Sequence, residues 1–489
     1  MFIDCTFRMS CCERRSMTAH KDSSRSLPHQ DVGTKFLRDR EAAGLFDEQG
    51  LGKSKQLIDA IVQDIAAGVL DGALIVCPNI LKGTWAEEIE KFCDLRYAVF
   101  GSGRKARRDT FRSLRAALYV INYEAVFAEV VSLRALLRFK RIALVLDESH
   151  RIKSPDARVT RAVLSLRKEA AKRYIMSGTP VANTPEDIWS QIFFLDGGEL
   201  LGDSFDKFCA RYRSPSGGYR HVEELRAHLQ GIGLRREKEG TVSLPRKSVS
   251  RVPVHLAPRQ REMYERLREE LHLWVKTLSG DEVVTQAENI LTRLIRLAQI
   301  ASNPGLIDAG YRETPAKFIL LDDLLEAYMP KAQKVIVWTS FVPNIGTLLV
   351  RYAHFHPVGL HGEMTNQARS AAVKAFRTDS SVRLLVANPA AAREGLTLTE
   401  SSCAIYLDRT FNLVDFLQSQ DRIHRLSQTR DCDIVLLLAQ HTIDEFIDFA
   451  LAQKHRLARY TQNDTDDIAV EDLALEKPDL LRALVQPDA

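Results

Sequence analysis

The segment Asp47–Ser54, with the sequence DEQGLGKS, has the composition of a loop that binds phosphate. It follows a short apolar run, 44–46, and precedes an amphipathic stretch, 55–67, which is the strand–loop–helix context of a phosphate site. Gly50 and Gly52 allow backbone N–H groups to turn towards phosphate oxygens. The pattern therefore predicts that Glu48, Gln49 and Leu51 belong to a nucleotide-binding loop.

The last two positions of this loop suit a nucleotide that carries Mg²⁺. Lys53 would place a positive charge on the β- and γ-phosphates, and the Ser54 hydroxyl would ligate the metal. The common form of the motif has glycine where Asp47 stands. A turn on the protein surface is the alternative interpretation.

A second candidate is the acid pair Asp147 and Glu148, which follows the apolar run 142–146. Mg-nucleotide hydrolysis needs acids at the carboxyl end of a strand. Asp147 can hold Mg²⁺ through its water shell, and Glu148 can orient or deprotonate the attacking water. On its own, such a pair is more often a helix cap or a solvated turn. The phosphate loop, about a hundred residues upstream, favours the catalytic interpretation.

The third candidate set is Gln418, Arg422 and Arg425. If this segment is helical, positions i, i+4 and i+7 share one face. Two guanidinium groups and an amide pointing together suit a γ-phosphate whose charge spreads in the transition state. Because these residues lie in the second half of the chain, a nucleotide cleft between two lobes is expected. The alternative is an exposed helix face with Asp415 and Asp421 as partners.

Short apolar runs indicate the elements that would position these residues. In two parts of the chain, runs rich in Val, Ile and Leu alternate with helical stretches, which predicts α/β lobes around buried parallel sheets. The part between them is mostly helical in period and rich in Arg and Glu. The predicted strands are 44–46, 73–77, 97–100, 118–122, 142–146, 173–176, 334–339, 357–360, 382–386, 403–407 and 433–438.

These patterns predict five parts of the chain. They are an N-terminal tail at 1–26, a first lobe at 27–195, a helical protrusion and linker at 196–330, a second lobe at 331–455 and an acidic tail at 456–489.

Composition excludes several classes of protein. With 489 residues, 45% hydrophobic and 27% charged, the chain is neither wholly disordered, collagen-like nor a disulfide scaffold. Its apolar runs are too short to cross a bilayer, so no membrane association is expected. The eight cysteines show no framework spacing and no CxxC pair, which favours a reduced cytoplasmic protein without zinc.

The net charge of +4 is distributed unevenly. From Asp464 to the end there are eight acidic residues against Lys477 and Arg482, a local charge of −6, so the remainder carries +10. A basic body permits binding of a polyanion, although a solvated mixed surface has the same composition.

Taken in order, the motifs resemble those of the Swi/Snf-type ATPases of helicase superfamily two, from about Leu27 to about Leu438. The match includes a segment typical of this family, Leu234–Arg236 with Leu244–Lys247, which resembles its protrusion. The other matching segments are Leu27–Gln30, Asp47–Gln56, Leu74–Trp85, Ile121–Glu124, Leu144–Lys153, Met176–Leu195, Lys334–Phe341, Gly395–Thr399 and Gln418–Gln428.

The chain departs from the family pattern at several positions. Motif V usually reads Ala-Gly-Gly before its later glycine, whereas Ala391–Glu394 stands here. The family usually has Met at Gln49, Asn at Ser154, Gly at Ser427 and Trp at Phe411. None of these changes removes a catalytic side chain.

The resemblance implies two RecA-like lobes and an ATP-dependent translocase on double-stranded DNA that remodels or displaces bound proteins, with ATP and Mg²⁺ as cofactors. It implies that Gln30 reads adenine and that Asp47 and Gly395 join the loop residues at ATP. Because the sequence has no recognisable histone-reading, RING or zinc module, separate proteins are expected to target the motor. The resemblance also implies DNA-backbone contacts by Lys82, Asn122, Ser340 and Arg393. A location in the cytoplasm, at the nucleoid if the source is bacterial, is expected.

Three alternatives are open. A strand-separating helicase is one, although the sequence has no obvious separation hairpin. An ATP-binding scaffold without translocation is another, although Lys53, Asp147, Glu148, Arg422 and Arg425 are all present. A nuclease is disfavoured, since no further carboxylate cluster with metal spacing occurs.

Overall fold

The computed structural model describes residues 26–112, 116–181, 184–214, 218–277, 286–332, 334–392 and 396–465. Its contacts divide the chain into two compact units. Unit 1 comprises the described residues up to Tyr212, those of His221–Thr241 and those from Ala458 onward. Unit 2 comprises the described residues of Arg213–Arg220 and of Val242–Leu457.

Unit 1 alternates strands and helices from its first described residues. Its strands are β1 (Ala42–Leu45), β2 (Gly72–Cys77), β3 (Tyr97–Val99), β4 (Leu118–Asn122), β5 (Ile142–Asp147), β6 (Lys172–Met176) and β7 (Gly233–Leu234). Its helices are α1 (Pro28–Arg38), α2 (Lys53–Ala66), α3 (Leu81–Phe92), α4 (Arg104–Arg112), α5 (Tyr123–Phe139), α6 (Arg158–Leu166), α7 (Trp189–Asp196), α8 (Phe205–Tyr212) and α9 (Val222–Ile232).

The seven strands of unit 1 form a parallel sheet in the order β3-β4-β2-β5-β6-β1-β7. Strand β2 is buried along its whole length, and β5 is buried up to its final residue, because helices cover both faces of the sheet. In the register, Met176 of β6 pairs with Leu45 of β1 and with Asp147 of β5. The segments that follow these three strands therefore leave the sheet at the same edge.

Unit 2 contains the second sheet and the helices before it. Its strands are β8 (Lys247–Val254), β9 (Val335–Trp338), β10 (Val358–Leu360), β11 (Leu384–Ala387), β12 (Cys403–Tyr406) and β13 (Cys432–Ala439). Its helices are α10 (Pro258–Lys276), α11 (Ala287–Ser302), α12 (Ala316–Ala332), α13 (Val342–Arg351), α14 (Asn366–Thr378), α15 (Leu413–Gln420) and α16 (Ile443–Thr461), whose last residues belong to unit 1.

The six strands of unit 2 are also parallel, in the order β10-β11-β9-β12-β13-β8. Strands β9, β11 and β12 are wholly buried, with one apolar cluster on each face of the sheet. The prediction of two parallel-sheet α/β lobes is confirmed.

The units divide the chain differently from the predicted boundaries. The segment 196–330, predicted as a helical insertion, supplies the edge strand β7 to the first sheet and the edge strand β8 to the second. Residues 458–465, predicted as the start of the acidic tail, belong to unit 1. The predicted tail at 1–26 lies outside the described residues except for Ser26, and residues 466–489 lie outside them as well.

Candidate nucleotide-binding and hydrolysis site

The loop between β1 and α2 has the backbone shape of a phosphate-binding turn. Gly50 and Gly52 have φ values of 92° and 76°, in the left-handed region that glycine adopts without strain. Gly52 caps the amino end of α2, which begins at Lys53. The first N–H groups of a helix have no partner within the helix, so this end can bind an anion.

Lys53 lies inside the loop. Its Nζ donates to the main-chain carbonyls of Asp47, at 2.6 Å, and Glu48, at 3.2 Å. Burial lowers the pKa of the Lys53 ammonium, while nearby carboxylates act against that shift: first Glu148, then Asp47 and Asp147. Ser54 follows at the second position of α2 and is half-buried.

Gln30 on α1 contacts this loop, where the resemblance placed an adenine-reading residue. Its Nε2 donates to the carbonyl of Leu51 at 3.4 Å, and its Oε1 accepts from the N–H of Leu27 at 3.0 Å. A Cβ on Gly52 would lie 2.3 Å from Gln30 Nε2. Glycine at 52 is favoured by its left-handed φ, and a Cβ there would require the Gln30 side chain to move.

A buried ion pair holds the start of the loop. The Asp47 carboxylate is fully buried and accepts from Arg236 Nε at 2.9 Å and Nη2 at 2.5 Å. Gln56 on α2 contacts both partners, since its Nε2 donates to Asp47 Oδ2 at 3.1 Å and its Oε1 accepts from Arg236 Nη2 at 2.8 Å. The side chain at position 47 thus fixes the loop to β7 and its following residues.

The neighbouring Arg235 makes a second contact to the same loop. Its Nη1 donates to the carbonyl of Phe46 at 2.7 Å and to that of Gly178 at 3.1 Å, and its Nη2 pairs with Asp464 at 2.7 Å. Sequence reasoning assigned Arg235 and Arg236 to the protrusion and missed these contacts. No local signal in the sequence could have found them, because β7 has only two residues.

The acid pair lies where β5 ends, at the same sheet edge as the loop. Asp147 Oδ2 accepts from Trp85 Nε1 at 2.9 Å, and Oδ1 accepts from the N–H of Glu148 at 2.9 Å. The hydroxyl of Tyr123 donates to the Asp147 carbonyl at 2.7 Å. Glu148 has a left-handed backbone, with φ 50° and ψ 53°, and His150 Nδ1 lies 3.3 Å from its Oε2.

Burial and the nearby Glu148 raise the pKa of Asp147 to about 7, although the Trp85 hydrogen bond and Lys53 act in the opposite direction. In an unfolded chain the pKa of the same carboxyl is about 3.9, the ordinary value for aspartate. Between these values the folded protein binds a proton that the unfolded chain has released. The contribution of this group to folding stability therefore falls as the pH rises from about 4 to about 7.

We therefore expect Asp147→Asn, measured without Mg²⁺, to raise the free energy of unfolding at pH 8 by on the order of a few kcal/mol. At pH 5 the gain should be much smaller, because the wild-type carboxyl is then protonated. Thermal and urea unfolding at both pH values measure the difference. The exposed Asp156→Asn is the control, and an equal gain at pH 5 and pH 8 would contradict the assignment.

The segment after β6 packs against the nucleotide loop. A Cβ on Gly178 would lie 2.9 Å from Gln49 Cγ, so the two segments approach more closely there than another residue allows. Gln191 on α7 accepts from the Ser149 hydroxyl at 2.5 Å and donates to the carbonyl of Pro180 at 2.8 Å. Gln191 thereby ties the acid-pair segment to the segment after β6.

In unit 2, the prediction of one helix through Gln418, Arg422 and Arg425 is wrong. Helix α15 ends at Gln420, and both arginines lie in the turns that follow. The turns keep the helical spacing of contacts, since Arg422 Nε donates to the Gln418 carbonyl and Arg425 Nε to the Asp421 carbonyl, each at 2.8 Å.

These turns hold both guanidinium groups against the segment 396–397. Arg422 Nη1 donates to the Leu396 carbonyl at 3.2 Å, and Arg425 Nη1 donates to Thr397 Oγ1 at 2.9 Å. Gln418 and Arg422 are each 2% exposed. The alternative of an exposed helix face does not hold for these two side chains.

Three of the predicted DNA contacts lie in described segments. In unit 1, Asn122 is the last residue of β4, where it pairs with Cys77 of β2, and Lys82 is the second residue of α3, the helix that follows β2. Lys82 Nζ donates to the Phe100 carbonyl at 2.9 Å, and Asn122 Nδ2 donates to Glu124 at 2.7 Å.

In unit 2, the main chain of Ser340 is held from two sides. Its N–H donates to Asp408 Oδ1 at 2.5 Å, and its carbonyl accepts from Asn388 Nδ2 at 2.9 Å. Arg393 and Gly395 lie outside the described residues.

Within the described ranges, no helix combines the length and the apolar character needed to cross a bilayer. Among the same residues, no cluster of three or more His, Cys, Asp or Glu side chains is arranged to hold a metal ion.

Comparisons with known proteins match the chain to two family models. The SNF2-related domain matches residues 29–306, and the helicase conserved C-terminal domain matches residues 316–427. Among solved structures, the Sulfolobus solfataricus SWI2/SNF2 ATPase core in complex with dsDNA is 26% identical, with a TM-score of 0.43, over 93% of this chain and 98% of that one.

Curated relatives are similar in sequence but longer. The chromodomain-helicase-DNA-binding protein 1-like of Danio rerio is 26% identical over 453 residues, 88% of this chain and 43% of the relative. An uncharacterized ATP-dependent helicase of Mycoplasma pneumoniae is 25% identical over 466 residues, 90% of this chain and 42% of the relative. The chain thus spans less than half the length of these two relatives. Because the SNF2-related model covers more than half of the chain, the chain belongs to the SNF2-related family.

Proposed function

We propose that this protein hydrolyses ATP in order to move along double-stranded DNA and to remodel or displace proteins bound there. The observation that carries the proposal is the meeting of a phosphate loop and an acid pair at one edge of the first sheet, in a chain of the SNF2-related family. Separate proteins that direct the motor to its sites are part of the same proposal.

The side chains of unit 1 have distinct roles in this reaction. Ser54 and Asp147 would hold Mg²⁺, since a hydroxyl and a carboxylate are the oxygen ligands that this metal prefers. Bound Mg²⁺ would neutralise charge on the β- and γ-phosphates. Lys53 and the first N–H groups of α2 bind phosphate, and Glu148 accepts the proton of the attacking water.

In unit 2, the buried arginine Arg422 and its neighbour Arg425 remain the predicted partners of the γ-phosphate. Their guanidinium groups are already fixed by main-chain and hydroxyl acceptors, so little side-chain entropy would be lost when they contact a phosphate.

Binding of a DNA backbone is supported by positive charge around Lys82. Exposed Arg104, Lys105 and Arg108 lie on α4, and Arg107 of the same helix is close enough to Lys82 to lower the pKa of its ammonium, after the larger effect of burial. Lysine and arginine contacts to phosphate carry no sequence information, as a protein that moves along DNA requires. Stimulation by DNA should therefore weaken with salt.

The test measures ATP hydrolysis with no nucleic acid, with duplex DNA and with single-stranded DNA. We expect duplex DNA to raise kcat severalfold, and we expect displacement of a triplex-forming strand from duplex DNA to require ATP. Lys53→Ala serves as the control for contaminating ATPases. Equal hydrolysis with and without nucleic acid would contradict translocation. Unwinding of a forked duplex would identify a strand-separating helicase. Failure to bind ATP would identify a scaffold protein that lacks catalysis.

A further inference from the structure

Trp85 lies in the second turn of α3 and is 2% exposed. Its ring packs in the apolar cluster on one face of the first sheet, with side chains from α2, β2 and β5. Packing by itself would be satisfied by a phenylalanine, which has no polar atom. The indole N–H instead donates to Asp147 Oδ2 at 2.9 Å.

This hydrogen bond is one of three that hold Asp147. The N–H of Glu148 donates to the other carboxylate oxygen, at 2.9 Å, and the hydroxyl of Tyr123 donates to the Asp147 carbonyl, at 2.7 Å. Each carboxylate oxygen therefore has one donor in a fixed direction, and rotation of the carboxylate about its χ2 would break both bonds. Two lone-pair positions, one on each oxygen, stay available for a further ligand.

A second tryptophan of unit 1 shows what packing without such a contact looks like. Trp189 is 5% exposed and stacks on Phe193, with ring centroids 5.1 Å apart. Within the described residues, its Nε1 has no hydrogen-bond partner. Trp85 and Trp189 are thus both buried, but of the two only Trp85 has an indole N–H that donates a hydrogen bond to another described residue.

We propose that Trp85 is a positioning residue whose indole N–H orients the Asp147 carboxylate for Mg²⁺ binding. The proposal rests on the proposed function, in which Asp147 is a Mg²⁺ ligand. A carboxylate whose two oxygens each accept from one fixed donor presents its remaining lone pairs in a set direction, as a metal ligand must. Groups that orient metal ligands in this way typically change metal affinity by about 10- to 100-fold when they are removed.

The experiment compares Trp85→Phe with Trp189→Phe. Both variants remove one buried indole N–H and keep an aromatic ring, so losses of packing should be similar. Binding of a fluorescent, non-hydrolysable ATP analogue is titrated at increasing Mg²⁺ concentration and in EDTA. We expect Trp85→Phe to need about tenfold more Mg²⁺ for half-maximal binding. Its affinity in EDTA should match the wild type, and Trp189→Phe should follow the wild type in both conditions.

A second measurement is made on the wild type. With ¹⁵N-labelled tryptophan, the indole resonance of Trp85, assigned by its loss in Trp85→Phe or by relaxation from Mn²⁺, should shift when Mg²⁺ and the analogue are added together. The Trp189 resonance should move much less.

The outcomes separate this inference from the proposed function. If the wild type hydrolyses ATP but Trp85→Phe and Trp189→Phe have the same Mg²⁺ dependence, or if the Trp85 resonance does not respond, then Trp85 only packs and the inference is overturned. If the wild type binds the analogue equally well with Mg²⁺ and in EDTA and does not hydrolyse ATP, the proposed function itself fails.

Discussion

Replacing Glu148 with glutamine is expected to lower kcat for ATP hydrolysis by about 10²- to 10⁴-fold, which is the usual contribution of a general base. Affinity for ATP should change much less than kcat, because Lys53, the loop glycines and the amino end of α2 are all retained in this variant. The backbone of Glu148 is left-handed, at φ 50° and ψ 53°. Such a conformation costs a non-glycine residue about 1–3 kcal/mol, and residues that adopt it are concentrated at active sites. Glutamine has nearly the same shape as glutamate, so the variant should keep this geometry and lose only the base.

Two further variants make this prediction specific. Lys53→Ala should lose nucleotide affinity as well as kcat, since it removes the cation inside the loop. Glu87→Gln, an exposed change on α3, should behave like the wild type. Measurement of kcat together with the affinity for ATP by fluorescence distinguishes the three. A Glu148→Gln variant that keeps more than a tenth of the wild-type kcat would exclude Glu148 as the base.

The residues with chemical roles in unit 1 were predictable because they follow apolar strands. Strands such as β2 and β5 are continuous apolar runs, and the parallel arrangement brings whatever follows them to one edge. The segment Asp47–Ser54 and the pair Asp147 and Glu148 could therefore be placed together before the structure was known.

Elements with weak hydrophobic patterns were not predictable. Strand β8 is an edge strand that is mostly exposed and contains Pro253, and β7 has two residues. Neither forms a run that differs from a loop. Helix α15 ends at Gln420, yet the residues that follow it keep the spacing of a helix. The side chains of Arg422 and Arg425 each donate to the carbonyl four residues earlier, although they lie in turns. Spacing in the sequence therefore could not locate the end of the helix.

Contacts between residues far apart in sequence were the part that no local pattern could supply. Asp47 looked like a departure from a glycine-rich motif, and Arg236 lies 189 positions later along the chain. A buried carboxylate requires a partner, but its identity depends on β7 pairing with β1 in the folded sheet. The same holds for Trp85 and Asp147, 62 positions apart, whose contact requires that β2 pairs with β5.

Removal of Arg236 by Arg236→Met is expected to lower the free energy of unfolding of unit 1 by about 3–5 kcal/mol. The Asp47 carboxylate is fully buried, and Arg236 supplies two of its hydrogen bonds, so the variant leaves a buried charge with Gln56 as its remaining side-chain donor in this contact. Because Asp47 begins the phosphate loop, Arg236→Met should also lower the affinity for ATP. Arg138→Met is the control, since Arg138 is an exposed arginine whose pairing with Glu169 should contribute about 0–1 kcal/mol.

A double variant decides whether the unpaired charge is the cause. If it is, Asp47→Ala combined with Arg236→Met should be more stable than Arg236→Met, because the desolvated carboxylate is then absent. Urea unfolding, followed by hydrogen exchange of the amides of unit 1 measured by mass spectrometry, reports on unit 1. The wild type, both single variants and the double variant form one cycle. A double variant that is less stable than Arg236→Met would show that the loop depends on the Asp47 side chain for packing rather than for charge. If Arg236→Met lowers the free energy of unfolding by less than about 1 kcal/mol, the ion pair contributes little to this fold.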